Sequence, residues 1–131
     1  TAHSIAGVSE VLRKQRADVR IVAVEPAESP ILSEGRTGGH RIEGIGIGFV
    51  PPLWDPEVAD EVVSVASDEA YEMARRLARE EGLFAGPSTG ANVVAALRLA
   101  RTLPPSATVG TLMVDSGLKY LTTELYRRSG A

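Results

Sequence analysis

The chain has 131 residues, 44% of them hydrophobic, and a net charge of −3, which suits one globular domain with a real core and gives no reason to expect nucleic acid or membrane as a partner. It has no cysteine and only two histidines, His3 and His40, so disulfides, thiolate chemistry and a histidine metal site are excluded, and no metal is expected. No apolar run approaches a bilayer span and the amino end carries no signal-peptide pattern, which points to a soluble, cytoplasmic protein.

From residue 4 to 16, Ile5, Val8, Val11 and Leu12 recur at helical spacing while Glu10, Arg13, Lys14 and Arg16 take other faces, which predicts an amphipathic helix. Residues 20–24 form a β-branched run closed by Glu25-Pro26, the pattern of a short buried strand. Residues 25–60 are rich in proline and glycine, an irregular stretch long enough to be the first place to look for a site. Within it, Gly44-Ile45-Gly46-Ile47-Gly48-Phe49 lets backbone lie close to a ligand; the same alternation also fits a weak strand whose glycine face packs on other backbone.

Residues 61–66 read as a second strand, and Ser67-Asp68-Glu69 as the start of a helix with Ser67 as N-cap. Ala70, Met73, Ala74, Leu77 and Ala78 form its inner stripe, and Gly82 is placed to end it. In Leu83-Phe84-Ala85-Gly86-Pro87-Ser88-Thr89-Gly90-Ala91-Asn92 an apolar run breaks at Gly-Pro and a helix begins, gathering hydroxyls and free N–H groups at one point. Taken alone that is also an ordinary helix start after a tight turn. The alanine-rich helix that follows, roughly 90–102, ends before Pro104-Pro105. Residues 108–114 read as a third strand, followed by Asp115-Ser116-Gly117 and a last helix carrying Leu118, Leu121 and Leu125. Strands separated by helices and long loops make an α/β fold, a mostly parallel sheet with covering helices, the economical architecture. The helix from residue 4 has no strand before it and the chain opens on Thr1, so a partial domain cut from a longer protein is expected.

Three motifs, in order, carry a family resemblance: Arg41-Ile42-Glu43-Gly44-Ile45-Gly46-Ile47-Gly48-Phe49-Val50-Pro51, Ala85-Gly86-Pro87-Ser88-Thr89-Gly90-Ala91 and Asp115-Ser116-Gly117-Leu118-Lys119-Tyr120-Leu121. With Ile21-Val22-Ala23-Val24-Glu25-Pro26 and Ala74-Arg75-Arg76-Leu77-Ala78 they resemble the carboxyl-terminal half of cysteine synthase (O-acetylserine sulfhydrylase) and the related cystathionine β-synthases, over nearly the whole chain. The resemblance implies the tryptophan-synthase-β architecture (fold type II) and pyridoxal 5'-phosphate as cofactor. It implies an activity of the lyase or transferase class in amino-acid metabolism and cysteine biosynthesis, namely β-replacement on an activated serine by sulfide or a thiol. A homodimer in the full-length form is implied too, with a small amino-acid substrate as the partner.

The same resemblance assigns residues. Thr1, Ala2, His3 and Ser4 fall on the last four positions of a Gly-Thr-Gly-Gly-Thr loop that holds the cofactor phosphate at a helix amino end, with Ala2 and His3 in place of glycines. On the residues alone, Thr1 and Ser4 read equally as a frayed end and a helix cap. Ser88 matches the serine whose hydroxyl meets the pyridine nitrogen, a neutral partner that leaves the ring a weaker electron sink than a carboxylate would. Thr89 and Gly90 shape that turn. Gly44 matches the glycine beside the substrate amine, Gly46 and Gly48 keep that wall low, and Asp115 and Ser116 close the cofactor's ring side. The lysine that forms the Schiff base and acts as base has no counterpart: Lys14 and Lys119 read as surface residues, so this chain alone is expected to be inactive. A serine/threonine dehydratase or a cystathionine β-synthase would share much of this half, although residues 44–49 favour the cysteine synthase branch. A non-catalytic module, binding a phosphate ligand or a protein through the same glycine-rich surface, is the alternative from another class.

Overall fold

The computed structural model describes residues 2–127. Helix α1 (His3–Gln15) forms where the amphipathic pattern predicts it, and its carboxyl end is tied to the strand starts. Arg13 donates to the Glu57 carbonyl at 2.7 Å and pairs with Asp60 at 3.0 Å, and Asp60 in turn accepts the Ile21 N–H at 2.6 Å. Strands β1 (Val22–Pro26) and β2 (Glu61–Val65) lie parallel, in register from Val22 opposite Glu61 to Pro26 opposite Val65. The first strand runs two residues later than its β-branched composition predicts, since Arg20 faces solvent and pairs with Glu61 at the sheet edge. The connection between the strands is a short helix α2 (Ile31–Glu34), an irregular loop and a 3₁₀ turn at Pro56–Val58.

Helix α3 (Ser67–Arg76) begins at an N-cap that is Ala66, not Ser67. The Glu69 carboxylate accepts the Ala66 N–H at 3.2 Å, while the Ser67 hydroxyl accepts the Arg41 N–H at 2.9 Å and so fastens the glycine-rich loop to the helix start. The helix widens into a π turn over Leu77–Glu81 and stops at Gly82, whose φ of +69° a side chain would resist. Helix α4 (Pro87–Ala100) starts earlier than its alanine-rich stretch, with Pro87 at the first position, where its missing N–H costs nothing. Val65, Ala70, Ala91, Val94 and Ala95 form the core between β2, α3 and α4, and Ile42, fully buried, closes it from the loop.

Two expectations fail. Residues 108–114 join no ladder; the nearest pairing is one antiparallel bridge just beyond them, between Ala85 and Ser116, and Leu112, Met113 and Val114 stand more than half exposed. β-Branched composition favours an extended chain, but a strand needs a neighbour, and none of the described residues offers one. The last helix is also absent: Gly117–Tyr120 forms a 3₁₀ turn, Leu118 and Leu121 point outward, and only Leu125 is buried. Ser116 caps that turn by accepting the Leu118 N–H at 3.2 Å, and Thr123 accepts the Leu125 N–H at 3.3 Å, so side chains hold the backbone out of an α-helix.

Candidate functional site

The amino end of α4 is built against the segment that follows residue 114. The Gly86 N–H donates to the Asp115 carbonyl at 3.3 Å and the Gly117 N–H to the Phe84 carbonyl at 2.9 Å. Gly86 has to be glycine: a Cβ there would lie 2.2 Å from Asp115 Oδ1 and 2.5 Å from the Tyr120 ring. Asp115 Oδ2 accepts from the Tyr120 hydroxyl at 2.8 Å and from Lys119 Nζ at 3.3 Å, whereas Oδ1 is buried with no partner among the described residues. Burial, and then the hydrogen bond to Asp115, push the Tyr120 hydroxyl well above its ordinary pKa, so it stays a donor.

Ser88 sits in the first turn of α4, 4% exposed, and its hydroxyl takes part in no hydrogen bond among the described residues. Thr89, beside it, is occupied differently: its hydroxyl accepts the Val114 N–H at 3.0 Å and pins the extended segment to the helix start. Replacing Thr89 by valine is expected to cost about 1 kcal/mol and to speed amide exchange at Val114, readable by thermal unfolding and hydrogen exchange. Gly90 closes the first turn of α4, its N–H donating to the Gly86 carbonyl at 3.3 Å, but its lack of a side chain serves another contact. It lets α4 close on α3, since a Cβ there would lie 2.0 Å from the Ala70 carbonyl oxygen.

The loop of Gly44, Gly46 and Gly48 holds φ of +94°, +60° and +85°, which rules out the weak-strand reading and accounts for glycine at each position. Positions 44 and 48 open onto free space. At Gly46 the space a Cβ would need is filled by Pro26 at 2.6 Å and His40 Nε2 at 2.7 Å. Ile42 belongs to the same buried cluster as Ala91 of α4 and Ile45 packs against that cluster, anchoring the loop to the core, and the Glu43 charge is felt by Tyr120.

Of the residues singled out from sequence, Ser88 lies in the first turn of α4 and Asp115 and Ser116 pair with the residues just before that turn, while Gly44 and Gly46 lie in the loop that follows Ile42. Ala2, His3 and Ser4 stand at the amino end of α1, and none of their side chains hydrogen-bonds to that group; Thr1 lies outside the described residues. Ala2 keeps a φ of +62°, a conformation glycine adopts without strain. Lys14 pairs with Glu10 at 2.6 Å and Lys119 with Asp115 at 3.3 Å, both with their side chains mainly in solvent. An open cleft of about 460 Å³ lies beside the start of the glycine loop, between His40, Arg41, Glu43, Tyr71 and Glu124, and no group of three or more metal-ligating side chains occurs among the described residues. No helix among them is long and apolar enough to cross a membrane. Sequence reasoning missed Tyr120 and Gly86 as partners of Asp115. An aromatic hydroxyl five residues after an aspartate that ends an apolar run was the available signal for the first.

Against the cysteine synthase of Staphylococcus aureus the chain is 43% identical over 126 residues, 96% of this chain and 41% of that protein, and against a probable cysteine synthase of Bacillus subtilis 40% identical over a similar span. The crystal structure of O-acetylserine sulfhydrylase isoform 3 from Entamoeba histolytica superposes with a TM-score of 0.93 at 38% identity, covering 99% of this chain and 39% of that one. That of the O-acetylserine-dependent cystathionine β-synthase from Helicobacter pylori gives 0.89 at 36%, covering 96% and 41%. The chain thus spans about two-fifths of the relatives it matches. Residues 1–115 match the family described as pyridoxal-phosphate dependent enzyme, and with the fold and these likenesses the chain belongs to that family, in the cysteine-synthase-like group of fold type II.

Proposed function

We propose that this chain is the carboxyl-terminal part of a cysteine-synthase-like enzyme that carries out β-replacement on an activated serine, with sulfide or another thiol as nucleophile. The observation that carries the reading is the group at the start of α4: a Ser88 hydroxyl, in a residue only 4% exposed, and a buried oxygen of Asp115 packed against Gly86, both without a hydrogen-bond partner among the described residues. Such a group fits the edge of a polar, planar ligand, which needs a few fixed polar contacts. Pyridoxal phosphate supplies an electron sink for bonds broken at the α-carbon of an amino acid.

The chain's own residues take the following parts in this reading. Ser88 offers its hydroxyl to the pyridine nitrogen, and Asp115 and Ser116 bound the ring side. Gly44 and Gly46 present bare backbone to the substrate amine, with Gly48 extending the same low wall. Thr1, Ala2, His3 and Ser4 offer N–H groups and hydroxyls to the phosphate at the amino end of α1. The Schiff-base lysine comes from polypeptide outside this chain, which agrees with the solvent-facing, ion-paired positions of Lys14 and Lys119. The whole enzyme works in the cytoplasm as a homodimer.

The test is to join this chain to the amino-terminal part of the Staphylococcus aureus cysteine synthase and to assay cysteine formation from O-acetylserine and sulfide. Turnover that the chain alone lacks is the expected result. A folded fusion with neither turnover nor cofactor absorbance overturns the reading and favours a non-catalytic binding module.

A further inference from the structure

We infer that His40 is a positioning residue: by bridging the two ends of the loop around Gly44 in one neutral tautomer, it sets the backbone wall that the proposed function assigns to the substrate amine. The inference rests on that reading for its consequence, but not for its geometry.

His40 Nε2 lies 2.8 Å from the Gly46 carbonyl oxygen, and the Ile42 N–H points at Nδ1 from 3.2 Å. A carbonyl only accepts, so Nε2 must carry the proton; an amide N–H only donates, so Nδ1 must carry the lone pair. The two contacts together admit one tautomer and exclude the imidazolium. One end of the bridge is immobile, because Ile42 is fully buried in the core. The other end, Gly46, is trapped between the imidazole and the Pro26 ring at the carboxyl end of β1, with a φ that favours glycine. Gly44 hangs between these two fixed points with open space above its Cα.

A second proton, placed on Nδ1, would turn the acceptor into a donor facing the Ile42 N–H, and the bridge would open. The loop is therefore held by the neutral ring and released by a second proton on it. Several groups face the ring or line the cleft beside it. Glu28 sits close enough to feel its charge: burial pushes that carboxyl up, but hydrogen bonds from the Ser67 N–H, its own backbone and the Ser67 hydroxyl, together with His40, hold it below the ordinary range. The charged groups there are Glu28, Glu43, Glu124, Arg41 and Arg127, and burial pushes the Tyr71 hydroxyl up, so it stays neutral.

Nuclear magnetic resonance on the 131-residue chain tests this without cofactor or substrate. At neutral pH the ring is expected in the Nε2–H form. On acidification the amide signals of Gly44, Gly46 and Gly48 should move with the same midpoint as the ring, and exchange at Ile42, corrected for its intrinsic rate, should quicken about fivefold. In His40→Asn, whose side-chain oxygen can replace Nδ1 but cannot titrate, Ile42 protection should become independent of pH. An Nδ1–H tautomer, glycine signals that stay still while the ring titrates, or the same pH response in His40→Asn would each overturn the inference. A loop that answers to His40 in an active fusion whose KM for the amino-acid substrate ignores the same titration would overturn its consequence for substrate. A fusion with no activity at all bears on the proposed function instead.

Discussion

Replacing Gly90 by alanine is expected to destabilise the chain by about 2–3 kcal/mol, the upper part of the range for an overpacked site. Helix propensity alone predicts the opposite sign, a gain of about 1 kcal/mol, because alanine is the better helix former. Contact geometry decides between the two. The added methyl would meet the Ala70 carbonyl oxygen at 2.0 Å, the Ala70 carbonyl carbon at 2.9 Å and the Ala74 nitrogen at 3.0 Å, all of them backbone. No rotamer change relieves such a clash, so α3 and α4 must separate and the Val65, Ala70, Ala91 cluster must loosen with them. Ser88 lies half a turn away on α4 and would shift as well. A fall in melting temperature of about 10 °C is the expected readout, and an unchanged or raised value would contradict the packing described.

Truncating Glu25 should cost a similar amount. Its carboxylate, at 2% exposure, accepts the Leu32 N–H at 2.8 Å and the Ser64 hydroxyl at 3.3 Å, and is hydrogen-bonded to the Ser33 hydroxyl as well. One side chain thus ties the start of α2 to β1 and β2, with its charge met by hydrogen bonds rather than by a cation. Glu25→Ala would leave the Leu32 N–H and two hydroxyls short of an acceptor in a buried place, a loss of about 2–4 kcal/mol after the hydroxyls turn to other partners. Glu25→Gln keeps one acceptor oxygen but sets an NH₂ against donors, so about half that loss is expected. Denaturant unfolding of the two variants ranks them, and equal stability of Glu25→Ala and the parent chain would contradict the role given to the carboxylate.

The contrast between these two residues shows what the sequence can and cannot carry. Helical spacing in Ile5, Val8 and Leu12, the β-branched run before Glu25, and the Ala70, Ala74, Leu77 stripe each repeat a local period, so α1, β1 and α3 are legible from it. The start of α4 is legible too, from Gly-Pro followed by hydroxyl residues. Pairing is not local. Residues 108–114 carry strand composition with no neighbour among the described residues, and Leu118, Leu121 and Leu125 carry helical spacing that Ser116 and Thr123 override by capping shorter turns. Glycine is ambiguous for the same reason: Gly90 looks like turn chemistry and proves to be an interhelical contact, whereas the positive φ at Gly44, Gly46 and Gly48 is of the kind their spacing allows. In the candidate site, Ser88 and Asp115 could be found because motifs name them. The Tyr120 hydroxyl, the Gly86 cradle and the His40 bridge depend on segments that meet only in the folded chain.

The most direct measurement is a crystal structure of the fused protein with pyridoxal phosphate bound. The Ser88 hydroxyl is expected at hydrogen-bond distance, about 2.8 Å, from the pyridine nitrogen, with Asp115 along the ring side and the bare backbone of Gly44 facing the reacting end. A cofactor seated away from the amino end of α4, with Ser88 still lacking any ligand contact, would contradict it.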